Sequence, residues 1–138
     1  PPFVLVKVLT LGEISRFYGL LKQEDRQAIS KYFKISDKLL KQGLVNLTLA
    51  RNISAHSDRL YTFHSKFFIS YKVIDKTYNR HNSSTNFYML VNCMKLLLDE
   101  KQSKEFQKLI DKEIKKLSKK LKSIDIRNIL DIMGYPSA

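Results

Sequence analysis

The sequence predicts an all-α fold, a helical bundle that forms a single domain over residues 1–138. Helix breakers are scarce, with Gly 4 and Pro 3 in the whole chain, and these residues are the ones that interrupt helices. Most segments repeat apolar side chains at spacings of three and four, and little of the chain alternates like a strand. Because a chain of this length buries one core, we expect one packed bundle.

The first segments are expected to be helical. Residues 3–21 are apolar around most of a helix circumference, which predicts a helix covered on several sides or by another subunit. A short amphipathic helix follows over residues 23–34. Ser36 and Asp37 then occupy N-cap positions for a long helix rich in leucine. Since the chain opens at Pro1, we expect a fragment of a longer protein that lacks its N-terminal part.

The second half contains one irregular stretch and further helices. Residues 59–84 lose the helical period, which predicts a long connection or a short strand-like insert. Residues 85–98 regain it with a wide apolar face. Ser103 is expected to cap a lysine-rich helix that ends near Lys122, and Asp125 a last short helix that ends at Gly134.

The charge of the chain indicates its class of partner. A net charge of +12 and a pI near 9.8 attract polyanions, which leaves nucleic acid and anionic membrane surfaces as candidates. No apolar run approaches the roughly 20 residues of a spanning helix, so we expect no membrane partner. Cys93 is the sole cysteine, so a disulfide framework is excluded and a reducing cytoplasm is the expected location.

The motif RNISAH, residues 51–56, ends the long helix. Arg51 offers a permanent cation that matches a phosphate, and His56 an imidazole that exchanges protons near neutral pH. At about 100° per residue, Arg51 falls on the apolar stripe of the helix, whereas Asn52 and His56 share a neighbouring face. Arg51 and His56 lie about 140° apart on a regular helix, so one motif does not close a catalytic pair on itself.

These residue types leave two roles open. A histidine near a helix end is commonly a capping or hydrogen-bonded residue, and an arginine on a packed stripe is commonly half of an ion pair. A catalytic role is the alternative. Residue chemistry alone favours the structural role.

A longer run around the motif resembles a known family. Residues 49–61, LARNISAHSDRLY, together with residues 1–21, PPFVLVKVLTLGEISRFYGLL, are similar to bacterial abortive-infection proteins of the AbiD and AbiF type, members of the HEPN superfamily. These proteins carry an RN…AH core with a basic, apolar and aromatic tail. Ser57 departs from the family pattern, in which a second histidine or a basic residue often follows the motif histidine.

The resemblance implies a HEPN-like helical fold and a homodimer. It further implies a metal-independent endoribonuclease, a hydrolase that cleaves RNA by 2′-hydroxyl attack in a toxin-type phage defence system. Arg51 and His56 would be the catalytic pair, with Asn52 holding the site, and no metal or cofactor is required. An inhibitory antitoxin, either protein or RNA, would be a further partner.

Two other functions remain open. One is a non-catalytic HEPN-like module that binds RNA or a partner protein, and the other is a basic DNA-binding domain, for which the chain shows no recognition-helix signature. Metal chemistry is unsupported, since the three histidines lack ligand spacing and the cysteine has no partner.

Contacts with RNA are expected in two regions. The connection after the motif interleaves basic residues with aromatic ones, a composition suited to unpaired bases and their phosphates. The predicted RNA-binding residues are Arg59, Tyr61, Lys66, Lys72, Lys76 and Arg80. Phe67 and Phe68 are expected instead to pin this connection to the bundle. Residues 101–122 hold nine lysines against three acidic residues, either an RNA-binding face or an ordinary solvated one.

Overall fold

The computed structural model describes residues 9–67, 69 and 85–136. Within these ranges the fold is all-α, as predicted, apart from one short pair of antiparallel strands. The elements are α1 Leu11–Leu20, α2 Gln23–Tyr32, α3 Asp37–Ala55, a 3-10 turn Leu60–Thr62, β1 His64–Ser65, β2 Thr85–Asn86, α4 Phe87–Leu97, α5 Glu100–Lys120 and α6 Ile126–Met133. Residues 3–8 of the first predicted helix lie outside the described residues.

Side-chain caps set where several helices begin. Ser36 accepts a hydrogen bond from the Leu39 amide at 3.2 Å and begins α3, and Asp125 begins α6, both as predicted. The prediction of Ser103 as the cap of α5 was wrong. Asp99 accepts from the amide of Gln102 at 2.8 Å while the Gln102 side chain returns a bond to Asp99. Because this reciprocal capping box satisfies two backbone donors, α5 begins four residues earlier.

Helix α3 is the central element of the bundle and packs against α1, α2 and α4. Its buried side recurs at spacings of three and four and consists of Leu39, Leu40, Gly43, Asn46 and Ala50. Leu39 joins Met89 and Cys93 of α4 in one apolar cluster, and Ala50 joins Phe63 and Leu90 in a second. The two clusters hold both halves of α3 in place.

Two polar contacts fix the start of α3. The buried Tyr18 hydroxyl of α1 donates to the Arg26 carbonyl at 3.0 Å and lies 3.4 Å from the Asp37 carbonyl. The Arg26 guanidinium forms an ion pair with the Asp37 carboxylate at 3.4 Å. Burial raises the pKa of Tyr18, with the nearby Asp37 carboxylate acting in the same direction. The phenol therefore stays a hydrogen-bond donor that ties α1, α2 and α3 together.

The connection after α3 is held by its backbone rather than by the aromatic side chain that was expected to hold it. The fully buried Asn46 side chain donates to the Phe67 carbonyl at 2.8 Å, and the Thr85 hydroxyl donates to the same oxygen at 2.8 Å. The Phe67 side chain is 43% exposed, so its predicted anchoring role was wrong, and Phe68 lies outside the described residues. Among the described residues of this connection, the buried aromatic side chain is that of Phe63, which is 2% exposed.

Helices α3 and α4 approach closely where Gly43 faces Cys93. A Cβ atom added at Gly43 would lie 2.8 Å from the Cys93 sulfur, which is inside van der Waals contact. The Cys93 thiol is buried, and burial raises its pKa to about 11. It therefore behaves as a small apolar side chain in the core.

We predict that Gly43→Ala destabilises the protein by about 1–3 kcal/mol through overpacking, although alanine in a helix usually gains about 1 kcal/mol over glycine. In a Cys93→Ala background, which lacks the sulfur, Gly43→Ala should instead stabilise the protein. Urea unfolding of the two single variants and the double variant measures both. Gly19→Ala is the control, because its new Cβ would meet only the flexible end of Lys41 at 3.4 Å. If Gly43→Ala lowers the free energy of unfolding equally with and without the Cys93 sulfur, this packing is contradicted.

Candidate active site

The RNISAH motif forms the last turn and a half of α3. Arg51 and Asn52 lie within the helix, and His56 is its C-cap. The His56 amide donates to the Asn52 carbonyl at 3.1 Å, so the helix keeps its regular hydrogen bonds to the end of the motif. All three residues are exposed. The angular separations of a regular helix therefore apply, with Arg51 and His56 about 140° apart.

Arg51 lies at the rim of a cavity of about 450 Å³ between α3, α4 and α5. The other residues that line this cavity are almost entirely apolar and include Leu47, Leu90 and Phe106. Arg51 thus points along the apolar stripe, as expected, but the residue is exposed rather than buried. The aliphatic stem of an arginine can cover apolar surface while its charge stays in water.

The guanidinium of Arg51 is held by its neighbour in the motif. Its Nη1 donates to the Asn52 side-chain oxygen at 3.1 Å. Within the described ranges no carboxylate forms an ion pair with Arg51. The expected ion-pair role of this arginine is therefore not seen there, and among the described contacts its side chain uses one of its five donors, for the bond to Asn52.

Asn52 lies on a different side of α3 from the apolar cavity. It lines a second cavity, of about 510 Å³, whose walls include Glu13 and Arg16 of α1 and Thr48 of α3. The described lining of neither cavity includes His56. Among the described residues, one chain therefore joins Arg51 and Asn52 by a hydrogen bond and places His56 apart from both cavities at the helix end.

A strained turn follows His56. Ser57 has φ of 58°, in the left-handed region that disfavours side chains with a Cβ. The Ser57 amide donates to the Ser54 carbonyl at 3.2 Å and the Asp58 amide to the Ile53 carbonyl at 3.1 Å. These two bonds form a Schellman motif, which ends the helix at His56. Sequence reasoning missed this role of Ser57 because no glycine marks the position.

The predicted RNA-binding residues divide between described and undescribed parts of the chain. Arg59, Tyr61 and Lys66 are exposed on the connection that follows the motif. The Lys66 ammonium lies 5.9 Å from the centre of the Phe67 ring, within reach of a cation–π contact. The other three predicted residues, Lys72, Lys76 and Arg80, lie outside the described residues.

The described residues contain neither a metal-binding cluster nor a membrane-spanning helix. In the part of the chain that the structure describes, no group of three or more His, Cys, Asp and Glu residues is placed to hold a metal ion. None of the described helices combines the length and the apolar character needed to cross a bilayer.

The N-terminal part of the chain, including the RNISAH motif, is similar to a known protein family. Residues 1–62 match the family model for Abi-like proteins. The Abi-like match covers less than half of the 138 residues, and it includes the whole RNISAH motif and the turn that ends α3. It supports an abortive-infection family. No curated protein and no solved structure gave a significant match.

We predict that Ser57→Gly raises the free energy of unfolding by about 0.5–1 kcal/mol, because glycine adopts positive φ without the Cβ penalty. Lys34 is a matched site, since it has φ of 56° in an equivalent turn after α2. Lys34→Gly should therefore stabilise the chain by a similar amount. Thermal unfolding of both variants is the measurement. A loss of stability in Ser57→Gly alone would show that the serine side chain makes a contact that outweighs the strain.

Proposed function

We propose that this chain is a metal-independent endoribonuclease of the HEPN type that acts in an abortive-infection, toxin-type phage defence. The observation that carries the proposal is the exposed set of Arg51, Asn52 and His56 at the end of α3, inside the Abi-like match. Arg51 is held by an amide and has no described carboxylate partner. A cation poised in this way is suited to an incoming phosphate.

The chemistry needs only the chain's own side chains. The ribose 2′-oxygen attacks the adjacent phosphorus, the P–O5′ bond breaks, and the products are a 2′,3′-cyclic phosphate and a free 5′-hydroxyl. One proton leaves the 2′-hydroxyl and another reaches the departing O5′. An imidazole can accept or donate such a proton near neutral pH. Arg51 would stabilise the charge that gathers on the phosphate oxygens.

The proposed site is shared by two chains. One imidazole cannot be base and acid in the same step, and Arg51 and His56 of one helix lie about 140° apart. A symmetric homodimer that brings two motifs into one groove supplies two histidines and two arginines. Asn52 would keep each arginine oriented through its 3.1 Å bond. The proposal places the enzyme in the cytoplasm, restrained by a protein or RNA antitoxin.

A non-catalytic HEPN-like module is the second candidate. The observation that favours it is the position of His56, which the described cavities beside Arg51 and Asn52 do not include. Such a module would bind RNA or a partner protein through the same basic surface. Both candidates predict RNA binding that weakens with salt, because bound cations leave the RNA when lysine and arginine replace them.

We predict that His56→Ala lowers the cleavage rate of labelled single-stranded RNA in EDTA by at least about 100-fold, the usual scale of a lost acid–base group. Affinity for RNA should change by less than about threefold, since an exposed imidazole adds little to phosphate binding. The measurement is the rate of product formation, with product ends identified as cyclic phosphates.

His64→Ala is the matched control, because His64 is also exposed and its Nδ1 contacts only the Thr62 carbonyl at 2.9 Å among the described contacts. It should cleave at the wild-type rate. RNA binding without cleavage by the wild-type chain would favour the non-catalytic module. Cleavage that survives in His56→Ala would remove the proposed role of this histidine.

A further inference from the structure

Helix α5 carries a continuous line of lysines. Six of them recur at spacings of three and four, so at about 100° per residue they fall within an arc of roughly 80°. This lysine ridge consists of Lys101, Lys104, Lys108, Lys112, Lys115 and Lys119, all exposed. At about 1.5 Å per residue it extends roughly 27 Å along a straight helix. The ridge is therefore one long, regular row of positive charge.

The opposite side of α5 faces the protein as far as Ile114, whereas Leu117, further along the same side, is exposed. Phe106, Ile110 and Ile114 are half-buried, and the first two share a cavity wall with Leu90 and Val91 of α4. A helix that binds a membrane surface inserts its apolar face into the lipid. Since the part of this face that carries Phe106 and Ile110 is turned towards α4, the ridge points away from the bundle there and a lipid surface is the poorer partner.

The charge of the ridge is only weakly neutralised. Among its lysines, Lys104 forms an ion pair with Glu100, and no other ridge lysine has a carboxylate partner in the described ranges. An open space of about 720 Å³ lies against the C-terminal half of α5, and all of its described lining belongs to this helix. Its described lining is six lysines and Asp111. Lysines gathered on one helix face raise the positive potential there and attract a polyanion.

We propose that the lysine ridge binds the phosphate backbone of the RNA, whatever its base sequence. The choice of RNA over other polyanions rests on the proposed function. Lysine is a compact point charge without the planar fork that reads bases, and no ridge position is aromatic, so stacking on bases is absent from this surface. The ridge therefore holds the RNA by charge alone.

The test compares two fourfold variants of the full chain in a His56→Ala background, which prevents cleavage. In the ridge variant, Lys108, Lys112, Lys115 and Lys119 become Gln. In the control, four exposed lysines of the first half become Gln, namely Lys22, Lys31, Lys38 and Lys41. Both variants lose the same net charge, so they separate a local surface from the overall field.

Binding of a single-stranded RNA is measured over a range of salt concentrations. The ridge variant should bind at least about tenfold more weakly at 0.1 M salt. The negative slope of log affinity against log salt should become shallower by about three, since each phosphate that the protein no longer neutralises reduces its magnitude by about 0.7. The control should keep a slope within about one of the starting value. Equal effects of the two variants, or no effect of the ridge variant, would overturn the proposal.

Two further arms separate other partners and other failures. The first arm measures binding to vesicles that contain anionic lipid. If the ridge variant no longer binds these vesicles but binds RNA as before, the proposal is overturned. Cleavage is assayed separately with His56 intact. If the ridge variant changes the salt dependence of RNA binding but the chain with His56 intact does not cleave RNA, the proposed nuclease activity is refuted and RNA binding by the ridge is not. If cleavage depends on His56 but the ridge variant leaves the salt dependence unchanged, only RNA binding by the ridge is refuted.

Discussion

Helix α3 fixes the direction of every side chain in the motif, because it is held along its length and stays regular to its end. The Tyr18 hydroxyl and the Arg26–Asp37 ion pair fix its first turn. Gly43 then lets α4 approach α3 so closely that the Cys93 sulfur of α4 occupies the space beside its backbone. A rigid helix converts positions 51, 52 and 56 into fixed angles, so the motif cannot rearrange cheaply to bring its own arginine and histidine together.

That rigidity shapes the functional proposal. Arg51 faces one cavity and Asn52 another, and the hydrogen bond between their side chains spans the two sides of the helix. The turn at Ser57 ends the helix at His56 and leaves the imidazole exposed at the tip of α3. A second copy of the chain is the simplest source of the missing partner groups. We propose that the lysine-rich α5 supplies the positive charge that binds the RNA backbone.

Local chemistry explains which features the sequence predicts. The helical class and the cap at Ser36 follow from periodicity and short-range hydrogen bonding. Asp99 and Gln102 are three residues apart and form a capping box, so this cap was also predictable from local sequence, although Ser103 was predicted instead. The roles of Phe67 and Ser57 could not be foreseen, since one depends on tertiary hydrogen bonds to its carbonyl and the other on a backbone angle that favours glycine.

Whether one motif is half of a site is tested most directly by cleavage rate at falling protein concentration, with the mass in solution measured in parallel. A shared site predicts that the active species has twice the chain mass of 16.2 kDa. It also predicts that the rate per chain falls as dilution separates the dimer, since association depends on concentration. A constant rate per chain in a sample of monomeric mass would contradict the shared site.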